Sequence, residues 1–314
     1  MINNVNLALS PTMTDNTYAG EFAGKYIAAA LFSSPTIDKE LITVLPNVRF
    51  KQVIQKFDFT SLIGDASCDF GNATTASVAI TERVLTTEEF QVNLQLCKKQ
   101  LFNAWEATMF APSMLNRELP TSFSDYIIGY VAEQVAQQNE TNIWRGVNAT
   151  VGQFDGLTTL MCTASGTSTG TLFVSASTVT SASVVANLQA IVDAIPTAVY
   201  GKEDLYIYAP ANVIKAYASA LGTANYQFGS YVGGKPLDYL GIPVAYAPGL
   251  ASSNIVAAQK SNLFFGCSLK SDFNEVRVLD MADLDGSQNV RFVMRYAAGV
   301  QYGVGSDIVL FKNC

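Results

Sequence analysis

Between Ser122 and Gly146 (SFSDYIIGYVAEQVAQQNETNIWRG) apolar side chains recur at spacings of three and four: Ile127, Ile128, Val131, Val135 and Ile143, with Ala132 and Ala136 beside them. That period predicts one amphipathic helix. Ser122 can cap its first turn, Asp125 stands three residues on in the place of a capping-box acid, Pro120 precedes the cap and Gly146 supplies the stop. The helix spans roughly 35 Å at 1.5 Å per residue. Glu133, Gln134, Gln137, Gln138 and Glu140 are assigned to the opposite, polar face. Strand-like sequence flanks it on both sides, so it is expected to act as a spine to which sheets attach.

Elsewhere the pattern changes period. The first 44 or so residues are polar. The part before Tyr18 is predicted as an extended arm, and Tyr18–Phe32 as a short helix with Phe22, Tyr26 and Ala29 or Ala30 on one side. Val44–Phe59 and Val78–Leu96 alternate and predict two long strands. The Gly/Ser/Thr/Ala/Asn stretch from Thr60 to Ala79 joins them as the tip of an extended hairpin. A protruding hairpin is marginal alone and needs a partner to cover it. Leu101–Leu115 is predicted helical, with Trp105 and Met109 on one side. Asp155-Gly156 is a turn, and Leu172–Val174 a short strand within a Ser/Thr/Gly stretch. Ser181–Ile195 has helical spacing and is ended by Pro196. Leu205–Ala209 is a buried strand, and Pro210 opens a helix with Val213, Ile214, Tyr217 and Leu221 on one face. Gly222–Pro236 is an exposed loop rich in glycine and aromatics. Tyr239–Ala247 and Asn254–Ala258 are strands, so this region alternates helix and strand, the mark of a sheet with helices against it. Beyond Leu263 the chain is strand-rich: Leu263–Gly266, Glu275–Met281, Val290–Ala297 and Val304–Phe311. Asp283–Gln288 forms a turn, and antiparallel pairing is expected.

Composition sharpens this picture. Of 314 residues, 49% are hydrophobic and only 14% charged, against about a quarter charged in a typical soluble protein. So few ions cannot cover a whole surface. Neutral polar residues cover part of it, and burial against other chains is expected to cover the rest. The net charge of −7 argues against gripping nucleic acid backbones, but not against enclosing nucleic acid. There is no histidine, which removes Ser-His-Asp and Cys-His pairs, histidine metal sites and histidine bases. The five cysteines, at 68, 97, 162, 267 and 314, form no CxxC motif, and their spacing suits reduced, mostly buried thiols. The N-terminus shows no basic region followed by an apolar core. Apolar runs such as Tyr26–Phe32 are too short to span a bilayer.

Candidate motifs carry little chemistry. Gly229–Pro236 (GSYVGGKP) places Gly229, Gly234 and Lys235 as a phosphate-cradling loop would. Pro236, however, offers no hydroxyl for magnesium and blocks the helix that would meet the phosphate. Asp283, Asp285 and Asn289 resemble a calcium loop but lack its downstream acid. The sequons at Asn72, Asn139 and Asn148 are chance matches. No acid pair stands out, so no cofactor, metal or catalytic residue is expected.

The order of these elements resembles the tailed-phage major capsid proteins of the Hong Kong 97 fold. Tyr239–Val244 (YLGIPV) is similar to that family's LG-apolar-PV strand, Asn262–Gly266 (NLFFG) to the apolar-FG step after it, and Val290–Leu310 to its closing strands. The resemblance covers about Leu45 to the end. It implies an α+β capsid fold: an N-terminal arm (1–44), an extended β-hairpin loop with flanking strands (45–100), a peripheral domain with the spine helix (101–156), an axial α/β domain (157–265), and return strands (266–314) whose last strand can rejoin the axial domain. It implies assembly contacts at Phe59, Asp69 and Phe70 in the hairpin, which would lie over the adjacent subunit. It implies others at Tyr226, Phe228 and Tyr231 near five-fold and quasi-six-fold centres, and at Asp283, Asp285 and Asn289 near three-fold axes.

The function implied is an icosahedral shell of hexamers and pentamers, located in the virion capsid and assembled in the host cytoplasm. Its partners would be other copies of itself, enclosed double-stranded DNA, separate scaffolding and portal proteins, and a possible decoration protein, with no membrane. Two departures stand out. The type member cross-links through a hairpin lysine, and the stretch from Phe57 to Cys97 has none, so no covalent chain-mail is expected. The long N-terminal scaffold segment is also missing, so scaffolding is expected to be a separate protein or not needed. The alternatives are an encapsulin-like nanocompartment shell, a phage tail, decoration or adhesin subunit, and, disfavoured by the missing chemistry, an enzyme.

Overall fold

A computed structural model describes residues 16–19, 31–60, 77–97, 123–164, 171–175, 178–223, 237–268, 275–287 and 289–312. In chain order the elements are β1 (Asn16–Ala19), α1 (Pro35–Asp38), β2 (Thr43–Leu45), β3 (Lys51–Thr60), β4 (Ser77–Thr86), β5 (Glu88–Cys97), α2 (Phe123–Arg145), α3 (Leu157–Ala164), β6 (Leu172–Val174), α4 (Val184–Ala194), β7 (Leu205–Ala209), α5 (Ala211–Thr223), β8 (Asp238–Tyr239), β9 (Ile242–Tyr246), β10 (Ile255–Gln259), β11 (Leu263–Cys267), β12 (Glu275–Asp280), α6 (Ala282–Asp285), β13 (Asn289–Tyr302) and β14 (Val309–Phe311). The chain divides into two units, residues 1–30, 91–135 and 269–296, and residues 31–90, 136–268 and 297–314. Helix α2 and strand β13 each contribute residues to both.

In the first unit β1, β12 and β13 form an antiparallel ladder. Val276 and Val278 stand opposite Met294 and Phe292. All four are buried, while Arg277, Arg291 and Arg295 on the alternate positions are exposed. This is the period-two pattern of a sheet with one covered face. Ile128, Val131 and Val135, on the early part of α2, are likewise buried. Tyr18 lies in β1, paired with Val276, rather than opening a helix. The free edge of β12 offers four residues a ladder, and that pairing overrides a weak helical period. The rest of that predicted helix from residue 20 to 30, and the one from 101 to 115, lie outside the described residues.

The second unit is built on a mixed six-stranded sheet, in the order β6-β14-β10-β7-β9-β8. Strand β14 runs antiparallel to β10 and parallel to β6, and β7 runs parallel to β9. Val184, Leu188 and Ile191 of α4, and Val213 and Tyr217 of α5, close over Ile207, Ile255, Val309 and Phe311 of the sheet. The predicted strand Val304–Phe311 is shorter than expected, because Gly305–Asp307 forms a 3-10 turn first. Its pairing is antiparallel on one side only. Tyr239–Ala247 is broken by a turn at Leu240–Gly241. The same unit holds β11, antiparallel to the end of β13 and parallel to β2.

Glu140 departs from its assigned face. It is only 3% exposed because Ala136, Glu140, Ile143 and Trp144 share one stripe of α2. Sorting by polarity put it outside, whereas position puts it inside. Its Oε2 accepts the Thr36 N–H at 3.0 Å and its Oε1 accepts the Thr36 hydroxyl and, at 3.4 Å, the Gly249 N–H. The Trp144 indole N–H donates to the Thr36 hydroxyl at 2.9 Å. A Cβ on Gly249 would stand 2.1 Å from the Glu140 carbonyl oxygen, so only glycine lets this loop approach the helix. Trp144 also packs on Tyr208, ring centroids 5.1 Å apart. The Tyr208 hydroxyl donates to the Leu41 carbonyl at 2.6 Å. The thiol expectation fails at Cys162, which is disulfide-bonded. Cys97 and Cys267 are free, and burial pushes the Cys267 thiol up to about 12.

Candidate self-assembly surface

Strands β3 and β4 pair antiparallel over ten residues each, from Lys51↔Thr86 to Thr60↔Ser77. Among the described residues they form a two-stranded sheet of their own. Each predicted long strand is in fact two. The first breaks between Leu45 and Lys51, and the second at Thr87. There the Thr87 N–H donates to the Phe50 carbonyl and its hydroxyl to the Arg49 carbonyl. These local bonds satisfy the backbone where the ladder stops.

Register and alternation sort the ribbon into two faces. Val53↔Val84, Gln55↔Glu82, Phe57↔Ile80 and Phe59↔Val78 fall on one face. There Val53, Phe57, Val78, Ile80 and Val84 are all between 43% and 55% exposed. The one polar cross-strand pair among them is self-satisfied, with Gln55 Nε2 donating to Glu82 Oε1 at 2.7 Å.

The other face carries Ile54, Lys56, Arg83 and Leu85. Leu85 is fully buried against Gly266, where a Cβ would come within 2.5 Å of its side chain. The Arg83 guanidinium lies 4.1 Å from the centre of the Tyr302 ring, and Gln301 Nε2 donates to the Val84 carbonyl at 3.0 Å. Burial raises the Tyr302 phenol above its ordinary value, with the Arg83 charge working against it. A cleft of about 600 Å³ runs along this face, lined by Lys56, Arg83, Asn262, Phe264, Val304 and Ser306 among others. One face is therefore anchored at its base, and the opposite face is apolar and half-exposed.

Of the sequence-predicted contacts, only some fall among the described residues. Phe59 is in β3, on the register of the apolar face. Asp69, Phe70, Tyr226, Phe228 and Tyr231 lie outside the described residues, as does the Gly229–Pro236 loop. Asp283 and Asp285 sit in the short helix α6, not in an open turn, and Asn289 begins β13. Gly286, with φ of 70°, ends that helix. Hydrogen bonds from Ser287 hold the Asp285 carboxyl below the usual carboxylate value. Among the described residues no three His, Cys, Asp or Glu side chains cluster as metal ligands would, and no helix is long and apolar enough to cross a membrane. Sequence reasoning did not single out Val53, Val78, Ile80 and Val84, which stand half-exposed on this face. Their signal was alternation in both arms of the hairpin, which needs the register to show that the apolar sets coincide.

No family model matches the sequence, and no curated protein matches it either. Solved structures do. A capsid chain of an empty GTA particle superposes with a TM-score of 0.59 at 15% identity, covering 89% of this chain and 96% of that one. A chain of Gordonia phage Cozz gives 0.56 at 12% identity, covering 100% and 92%. A chain of the satellite phage P4 procapsid, solved with its size determination (Sid) protein, gives 0.55 at 11% identity, covering 92% and 98%. At such identities the likeness is one of fold: this chain combines helix and sheet as the chains of these particles do, over nearly its whole length.

Proposed function

We propose that this chain is a major capsid protein of the Hong Kong 97 fold, which self-assembles into the icosahedral shell enclosing the double-stranded DNA of a tailed phage. The observation that carries this is the β3–β4 ribbon. Five large apolar side chains stand half-exposed on one of its faces while the other face is anchored by Leu85. A ribbon of this kind is unfavourable in water, and among the described residues no third strand pairs with it. In a closed assembly each copy covers the ribbon of the next, and symmetry lets one surface solve the problem for all. The likeness of fold to chains of phage and GTA capsids supports the same reading. So does the scarcity of charge, with 14% of residues ionisable as Asp, Glu, Lys or Arg.

In this reading the ribbon and its tip are the extended loop and α2 is the spine helix of the peripheral domain. The β6-β14-β10-β7-β9-β8 sheet with α4 and α5 forms the axial domain, completed by the last strand. Phe59, Asp69 and Phe70 belong to the overlap between subunits. Tyr226, Phe228 and Tyr231 meet at five-fold and quasi-six-fold centres, and Asp283, Asp285 and Asn289 meet near three-fold axes. The role is structural rather than catalytic, and the net charge of −7 keeps packaged DNA from sticking to the wall. Scaffolding, portal and decoration functions fall to other proteins, and assembly takes place in the host cytoplasm. Hairpin residues from Phe57 to Cys97 include no lysine, so neighbouring subunits are held without lysine cross-links from this loop.

The test is assembly of the purified full chain, followed by size-exclusion chromatography and negative-stain microscopy. Closed shells, alone or with a co-expressed scaffolding protein, are expected. A compact monomer under both conditions overturns the reading.

A further inference from the structure

Strands β8 and β9 pair through Tyr239↔Ile242 and Asp238↔Pro243, which leaves a two-residue loop, Leu240–Gly241. Such a loop takes a type I′ turn, with positive φ at both residues, and Asn-Gly is the sequence that suits it. The angles are as required, 49° at Leu240 and 82° at Gly241. Glycine adopts this region freely, but leucine does not, because its Cβ crowds the backbone there. Glu40 is the other non-glycine residue with positive φ among those described. It closes α1 with two backbone bonds, Leu41 N–H to Thr36 O and Glu40 N–H to Ile37 O, which offset the strain, and its polar side chain is exposed. The turn at Leu240 is closed by the Tyr239↔Ile242 pair, which asparagine or glycine there would gain equally without the leucine's strain. The Leu240 carbonyl accepts the Tyr200 hydroxyl at 3.5 Å, a bond open to any residue at that position. Its side chain is 55% exposed, next to a Tyr200 that is 50% exposed.

We propose that the Leu240–Gly241 turn is a second self-assembly contact, in which Leu240 inserts into a neighbouring copy of this chain. A strained residue that presents an apolar side chain to water is held there by something outside its own fold. Asp238 to Ile242 carry no cation, which does not suit nucleic acid, and a single leucine beside one tyrosine is too little apolar surface to hold a membrane. A protein surface fits, and the proposed shell supplies copies of this chain at high local concentration. Among the described residues strand β8 ends the order of its sheet, which puts the turn at an edge of that sheet. The inference rests on the shell reading but on none of the ribbon's residues.

The experiment compares wild type, L240N and L240A as full chains. Assembly is followed by light scattering against concentration, and unfolding of the dissociated subunits by urea. Asparagine tolerates the turn, so L240N is expected to keep or raise the urea midpoint while raising the concentration needed for assembly about tenfold or more. L240A keeps the strain, loses the side chain and is expected to assemble as poorly. L240N assembling at the wild-type concentration overturns this contact and leaves the shell reading standing. A lower urea midpoint for L240N also overturns it, because the leucine would then serve its own fold. A wild-type chain that forms no particles overturns the shell reading and this contact with it.

Discussion

Thr36 and Glu140, 104 positions apart, are joined twice, backbone N–H to Oε2 and hydroxyl to Oε1. The same carboxyl receives the Gly249 N–H. One side chain thus satisfies three donors from two segments that would otherwise be buried unpaired. Truncation by E140A leaves those donors orphaned and is expected to cost about 2–4 kcal/mol. E140Q is expected to fall between, since its amide presents an N–H₂ to one donor whichever way it is turned. Urea unfolding of dissociated subunits checks both values.

Leu85 fixes the base of the ribbon. It is fully buried, and Gly266 leaves the space it fills. L85A empties that space and is expected to cost about 2–5 kcal/mol. The loss is local in character, so amide exchange in Lys51–Thr60 and Ser77–Thr86 should quicken more than in β7 or β10. Uniform acceleration across the second unit would show that Leu85 supports the core and not the ribbon's seat.

Helix α2 was legible, and its C-terminal end at Arg145 falls where Gly146 was read as the stop, because period and stop agree there. The helices at Val184–Ala194 and Ala211–Thr223 were legible for the same reason. Glu140 was not, since polarity and helical position conflict there and only the incoming Thr36 and Gly249 donors resolve the conflict. Strand boundaries failed where tertiary pairing decides them. Tyr18 follows the edge of β12, and the break at Thr87 follows bonds to Arg49 and Phe50. Of the candidate surface, the hairpin was legible from two alternating runs. Which side chains share its apolar face was not, because a shift of one residue in register would exchange the two faces. The turn at Leu240 was hidden because leucine is the wrong residue for it by local preference.

Tyr208 sets a pH dependence. Burial holds its phenol well above the ordinary value of 10.0. Its stabilising contribution is fully present below the unfolded-state value and is lost as pH rises beyond it, because the unfolded chain then releases a proton that the folded chain keeps. The slope is up to about 1.4 kcal/mol per pH unit. Y208F removes this titration and the bond to Leu41. At pH 8 it is expected to be less stable than wild type by about 1–2 kcal/mol. Above pH 10 the gap should narrow, and urea midpoints measured from pH 8 to 11.5 test this. A gap that stays constant would place the phenol in contact with solvent.

The ribbon's apolar face separates folding from assembly. Val53 and Ile80 are half-exposed, so replacing them with threonine removes apolar surface that the isolated subunit buries only in part. Threonine is also β-branched and keeps the strand preference. Each change gives up a cross-strand contact, with Val84 and with Phe57 respectively, worth about 0.2–1 kcal/mol. The double variant V53T/I80T is therefore expected to lose at most about 2 kcal/mol of subunit stability, which urea unfolding measures. Its assembly should fall far more, because in the proposed shell every subunit would cover this face and the lost burial would recur at each contact. Light scattering under conditions where wild type closes shells should show little or no particle formation. If V53T/I80T assembles as wild type does, the apolar face stays in water within the shell, and the ribbon is held by its edges or its tip instead.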